Sequence, residues 1–299
     1  MASMAGRKPF CADVSRENGE PLGATASRID HWLLVEYRGQ WSRNVLGASL
    51  LSEDVKQHLR EQIAALPKAR LLFVRRPERR RHPRLAVYHA HSSESGSTLT
   101  GLEIERYEEL LALDVRAGLG GPIDHPLFVI CTHGKRDRCC ARLGRPLYDE
   151  VRAQADEAWV WQSSHVGGDR FAGNLVVLPD GLFFGRVEPI DVWGLLDEVL
   201  ARRIPLEHYR GRCCYPFVVQ AAERALREEE SLTGVDELRL VAVERLEGGR
   251  RRVRFRTPDG EEDVEVAGQL GELTYLTCEA ATPKRPLRFV ATRRAPAPW

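Results

Sequence analysis

No apolar stretch in this chain of 299 residues approaches the roughly 20 residues that a membrane helix needs. Charge of one sign is also lacking. Lysine and arginine number 44 against 43 aspartates and glutamates, a formal net charge of +1. That balance creates no global field for nucleic acid or an acidic membrane surface. The amino terminus, MASMAGRKPF, has no apolar core of the kind a signal peptide carries. Together these absences predict a cytoplasmic protein with no membrane partner, and make nucleic acid an unlikely one. The seven cysteines are odd in number and spread over a long chain, which is not the pattern of a small secreted disulfide scaffold. Ser163-Ser164-His165 lacks the glycines of a nucleophile elbow and has no assigned acid, so a serine hydrolase is discounted.

What is present reads as an ordinary globular chain, 43% hydrophobic and 29% charged, long enough for two or three domains. Residues 1–28 are polar and turn-rich and read as an extended lead-in. Residues 29–116 read as an α/β domain: a strand at 31–37, a helix capped by Ser52 and running to Leu66, strands at 70–75, 85–90 and 99–104, and a helix over 105–113. The glycine-rich stretch 117–122 is a break. Residues 123–212 read as a second domain. The apolar run LFVIC is a buried strand, followed by a charged loop, THGKRDRCCARLGR. Pro146 suits the first turn of a helix to Glu157. A strand at 158–163, a loop, a hairpin turning at Pro179-Asp180-Gly181 and a helix from Asp191 complete it.

The order strand-helix-strand-loop-hairpin-helix is thioredoxin-like. The fold class is therefore α/β, with a thioredoxin-like middle domain. The first unit has a similar element order and reads as a degenerate second copy, without a sequence repeat. Residues 213–299 read as a small α+β unit, with a helix at 216–230, strands near 237–244, 251–257 and 262–267, and a mobile tail ending Ala295–Trp299.

Two loops carry the chemistry. One holds Cys131 and Cys140, separated by eight residues, with Cys139 beside the latter. The other holds His165 and Asp169 around Val166-Gly167-Gly168. Each loop leaves the end of a strand, and parallel strands set both at one end of the sheet. Two thiolates then face an imidazole and a carboxylate, a donor set suited to iron–sulfur or zinc. The glycine pair lets backbone approach inorganic sulfide. Lys135-Arg136-Asp137-Arg138 offsets part of a cluster's negative charge.

These residues resemble the sucrase/ferredoxin-like family, relatives of the thioredoxin-like ferredoxins. The text that carries the resemblance is CTHGKRDRCCARLGRP, SSHVGGDRFAGN and LPDGLFFGRV, with a weaker likeness in PFCADVSRENGEPLGATASRIDHWLLVEY. The resemblance implies a [2Fe–2S] cluster with Cys131 and Cys140 on one iron and nitrogen ligands on the other. Eukaryotic members place two histidines in an H-x-G-G-H pattern. Here the first is His165 and the second position is Asp169. The fourth ligand is then Asp169, Cys139, His133 or solvent.

The function expected is a [2Fe–2S] ferredoxin-like redox protein, in electron transfer or redox sensing, with an unidentified redox partner protein. A zinc-binding interaction protein on the same four residues is the alternative, and a thiol enzyme ranks last. No carboxylate pair suits glycoside hydrolysis, so sucrose hydrolysis is not expected. Cys11 and Cys278 read as incidental, and Cys213-Cys214 as structural. The basic run Arg75–Arg84 reads as a solvated hairpin tip before a docking patch.

Overall fold

The computed structural model describes residues 8–77 and 81–293. The lead-in expected to be extended carries a short helix, α1 (Cys11–Glu17), which buries Cys11, Ala12 and Ser15. Its sequence, CADVSRE, is too short for a periodic signal, and its contacts fix it in place. Strand β1 (His31–Glu36), helix α2 (Glu53–Ala64) and strands β2 (Ala69–Arg75), β3 (Leu85–His91) and β4 (Thr98–Ile104) follow as expected. Ser52 caps α2 by accepting from Val55 N. The helix expected at 105–113 is a 3₁₀ turn, Tyr107–Ala112.

After the two-residue β5 (Gly121–Pro122) come β6 (Leu127–Cys131), α3 (Arg138–Gln154), β7 (Val160–Ser163), β8 (Leu175–Leu178), β9 (Leu182–Phe184), α4 (Val192–Leu200) and β10 (Tyr209–Arg212). Helix α3 begins earlier than expected, and Pro146 lies inside it. Asp137 is the reason: its side chain accepts from Cys139 N at 2.8 Å and caps the helix. Such a cap is worth about 1 kcal/mol. The charged segment therefore supplies a helical turn rather than a loop, and Cys139 and Cys140 sit in that first turn.

One ten-stranded sheet runs β10-β9-β8-β6-β7-β2-β1-β3-β4-β5. Strands β6 and β7 are parallel, while β8 and β9 pair antiparallel beyond β6. The order β9-β8-β6-β7 is the thioredoxin-like one. Strands β4-β3-β1-β2 repeat it in mirror sequence, with β1 and β2 parallel around α2. The two halves meet where β2 pairs antiparallel with β7. The similarity that is absent from the sequence is thus present in strand order. The segment 117–122 itself supplies β5, the edge strand of this one sheet.

The apolar face of α3 (Leu147, Tyr148, Val151) packs on Phe128, Ile130 and Val160. Helix α5 (Phe217–Glu230) covers a second sheet, β11 (Arg239–Arg245), β12 (Arg251–Thr257), β13 (Gly260–Leu270) and β14 (Leu287–Arg293), all antiparallel. Val219, Ala222 and Leu226 meet Val253, Phe255, Val264 and Val266 there. Strand β14 was not expected. Among the described residues no helix is long and apolar enough to cross a membrane. The mobile tail expected at Ala295–Trp299 and residues 78–80 of the basic run lie outside the described residues. Nearby, Arg75 stacks on Trp41 at 3.5 Å, and Arg76 lies over Trp161 and 3.3 Å from Glu36.

Candidate metal centre

Parallel pairing sets Cys131, the last residue of β6, opposite Ser163, the last of β7. Helix α3 then returns over the same end of the sheet. Gly144 permits its approach, since any Cβ there would strike the Cys131 carbonyl. Cys131 and Cys140 are both buried. The ligand atoms of Cys131, Cys140 and His165 all lie within 4.8 Å of one another. The Cys140 thiol donates to Asp169 Oδ1 at 3.2 Å, and the same oxygen is 3.0 Å from His165 Nδ1. That nitrogen is buried and ion-paired with the Asp169 carboxylate, though the contact falls short of hydrogen-bond geometry. Two sulfurs, an imidazole and a carboxylate are thus brought together. Thiol, imidazole and carboxylate donors grouped this closely are a set that a metal can bind on loss of their protons.

The electrostatics are those of a shared anionic site. Hydrogen bonding from Cys140 lowers the Cys131 thiol, outweighing burial, with His165 adding to the effect. The same bond and burial raise Cys140. Burial works to lower His165, but Asp169 and Cys131 overcome it and hold the imidazole at about 9. Burial would raise Asp169, and His165 and Cys140 reverse it.

The two reserve ligands are placed elsewhere. His133 spends both ring nitrogens on backbone: Nε2 lies 3.0 Å from Ser42 O, and Nδ1 accepts from His165 N at 3.2 Å. Cys139 points away from Cys140, toward Cys11 and Cys278.

Residues that sequence reasoning passed over hold the second loop. Arg210, buried on β10, donates to Gly167 O at 3.1 Å, Asn174 Oδ1 at 2.7 Å and Thr25 O at 2.7 Å. Asn174 Nδ2 donates to Gly168 O at 2.9 Å. From β2, Arg70 donates to Val166 O at 2.6 Å. Ser164 exchanges hydrogen bonds with the Phe73 backbone at 2.7 and 2.9 Å. Arg70 and Phe73 of the first half of the sheet, with Arg210 and Asn174 of the second, therefore fix the loop bearing His165 and Asp169. No local signal marks Arg210, whose neighbours Glu207, His208, Gly211 and Arg212 form no apolar run.

Curated relatives are similar over a limited segment. Altered inheritance of mitochondria protein 32 of Meyerozyma guilliermondii is 35% identical over 99 residues, 30% of this chain and 35% of that protein. The protein of the same name from Clavispora lusitaniae is 36% identical over 99 residues, 30% of this chain and 36% of its own. That of Eremothecium gossypii is 30% identical over 106 residues, 31% and 34% respectively. The chain spans about a third of the length of these relatives. No solved structure matches it.

These names correct two expectations. The relatives are named for the inheritance of mitochondria and none is named a ferredoxin, so the reading as a ferredoxin-like electron carrier or redox sensor is withdrawn. The cytoplasmic assignment falls on the same names, which point to mitochondria. What stands is a buried set of thiol, imidazole and carboxylate donors able to hold a metal. The sucrase/ferredoxin-like family model matches residues 22–211, more than half of the sequence, and the chain belongs to that family.

Proposed function

We propose that this chain is a metalloprotein in which Cys131, Cys140, His165 and Asp169 hold a [2Fe–2S] cluster. The observation that carries the metal reading is the convergence of these donors, with the ligand atoms of Cys131, Cys140 and His165 within 4.8 Å of one another and Asp169 against Cys140 and His165. The finer choice of occupant is supported by the motif resemblance and by donor chemistry. Thiolates are soft ligands that suit iron–sulfur centres, and histidine replaces cysteine on one iron in some of them. When bound, such a cluster supplies a buried iron–sulfur centre whose negative charge the protein must balance. Arg210 and Arg70 stand in the positions to do so, and each is held to the second loop by hydrogen bonds to its carbonyls. The relatives' name supports a mitochondrial setting for this protein.

Anaerobic purification followed by an absorption spectrum and metal and sulfide assays tests the reading. Brown protein with equal iron and acid-labile sulfide is expected. Cys131→Ser and Cys140→Ser should each lose both. Colourless protein carrying zinc that these two substitutions remove would overturn the iron–sulfur assignment.

A further inference from the structure

On the far side of the first turn of α3, a second group of cysteines comes together. Cys139 Sγ lies 3.6 Å from Cys11 Sγ and 3.3 Å from Cys278 Sγ, and Cys278 Sγ lies 3.6 Å from Cys11 Sγ. The three are 0%, 0% and 5% exposed. Asp137 completes the group, with its ligand atom within 4.8 Å of all three sulfurs. Nothing in the spacing of residues 11, 137, 139 and 278 announces this.

We propose that Cys11, Cys139 and Cys278, with Asp137, form a second, structural metal site that takes zinc. Three sulfurs in mutual contact are a triangle, and one disulfide would always leave the third thiol over. A tetrahedron built on Zn–S bonds of about 2.3 Å has edges near 3.8 Å, so the observed triangle need open only by a few tenths of an ångström. As thiols these groups offer one another only weak hydrogen bonds in a dry pocket. As thiolates on a divalent ion they are strongly bound.

Backbone amides meet two members of the group. Ala12 N donates to Cys139 Sγ at 3.5 Å. The Asp137 carboxylate accepts from Cys139 N at 2.8 Å and from Cys278 N at 2.6 Å, one bond on each oxygen. An ionised carboxylate offers about four lone-pair positions, so capacity for a metal remains. Arg142 stacks on Phe10 at 3.8 Å, pairs with Asp13 at 2.9 Å and lies close enough to feel the charges of Cys139 and Cys278.

All four donors come from protein and all four residues are buried, the arrangement of a structural rather than a catalytic zinc site. Binding would release the thiol protons to solvent. Its effect is to clamp α1 and the segment bearing Cys278 onto the start of α3. Cys140, the very next residue, faces the first centre. The adjacent cysteines Cys139 and Cys140 so belong to two different sites, back to back.

The test is separable from the iron–sulfur reading. In the full chain carrying Cys131→Ser and Cys140→Ser, the first site is disabled. That protein, loaded with cobalt(II) alone, should show thiolate-to-cobalt charge transfer and the visible bands of a tetrahedral ion. Adding Cys11→Ser or Cys278→Ser should abolish these bands and cut zinc affinity at least tenfold, a scale that even outer-shell losses can reach. In an otherwise wild-type chain, Cys11→Ser and Cys278→Ser should remove zinc while leaving iron and sulfide bound. Native mass spectrometry of unmutated protein, before and after chelation, reads the same site if a variant fails to fold: loss of one zinc is expected. Wild-type protein that binds neither zinc nor cobalt outside the first site, or whose intact mass shows a disulfide among these three cysteines as isolated, overturns the proposal.

Discussion

A guanidinium sealed from water is costly, and Arg210 is fully buried. Burial, with Arg170 adding to it, lowers its pKa to about 9 against the opposing pull of Asp169, Cys131 and Cys140. It keeps its charge because the anionic donors beside it want a cation and because four hydrogen bonds to Thr25, Gly167 and Asn174 hold it. Arg210→Met should therefore cost metal before it costs the fold. Iron content should fall about tenfold or more, the range seen when outer-shell partners are lost. Iron assays on protein verified as folded by circular dichroism check this. Gly168 stands at φ +81°, and a Cβ there would strike Arg210 Nη2. Gly168→Ala should lower stability by about 1–3 kcal/mol, from the strained backbone alone. Urea denaturation of the two proteins measures the difference. Asp169 contacts both Cys140 and His165, so Asp169→Ala should reduce iron retention, read by the same assay.

At the scale of elements, the β1–β3 pair carries a pH dependence. His31 lies opposite His91, and the His89 ring stacks with His31 at 5.5 Å. Burial, then His31 and His91, lowers His89 to about 4. Burial and His91 also lower His31, against Asp30. The folded pKa lies below the unfolded value near 6.5, so the unfolded chain binds more protons between the two. This contribution is complete above about pH 6.5 and is lost as pH falls toward about 4. His89→Gln should flatten the decline of the urea midpoint across that window, and an unchanged slope would refute the account. The elements also show where sequence stops being legible. The strands flanking both loops could be read, because LFVIC and AWVWQS are apolar runs bounded by turns. The start of α3 could not: RDRCCARLGR has no apolar period, and only the Asp137 cap makes it helical. The fourth donor pattern, His165 with Asp169, was legible because it is local. Cys11 and Cys278 were not, because they reach Cys139 across more than a hundred residues each. Local spacing carries no trace of such contacts.

At the scale of the molecule, two thioredoxin-like halves share one sheet, and the second sheet is tied to it through α5. Glu223, buried on α5, accepts from Tyr209 Oη on β10 and from Arg227 Nε, both at 3.1 Å. Arg227 also donates to the carbonyls of Leu232, Gly234 and Val235. Removing one member strands the other without water, so Glu223→Ala should destabilise the chain by about 3–5 kcal/mol, measured by urea unfolding. Across the β2–β7 junction, Arg70 and Phe73 of the first half help hold the loop that sets an imidazole beside the thiols of the second. The most direct measurement of that arrangement is pulsed electron paramagnetic resonance on the chemically reduced protein, with histidine nitrogen isotopically labelled. The account predicts a paramagnetic iron–sulfur signal coupled to the nitrogen of one imidazole, and loss of that coupling in His165→Cys. A signal with no histidine coupling, or no iron–sulfur signal from anaerobically prepared protein, would contradict it.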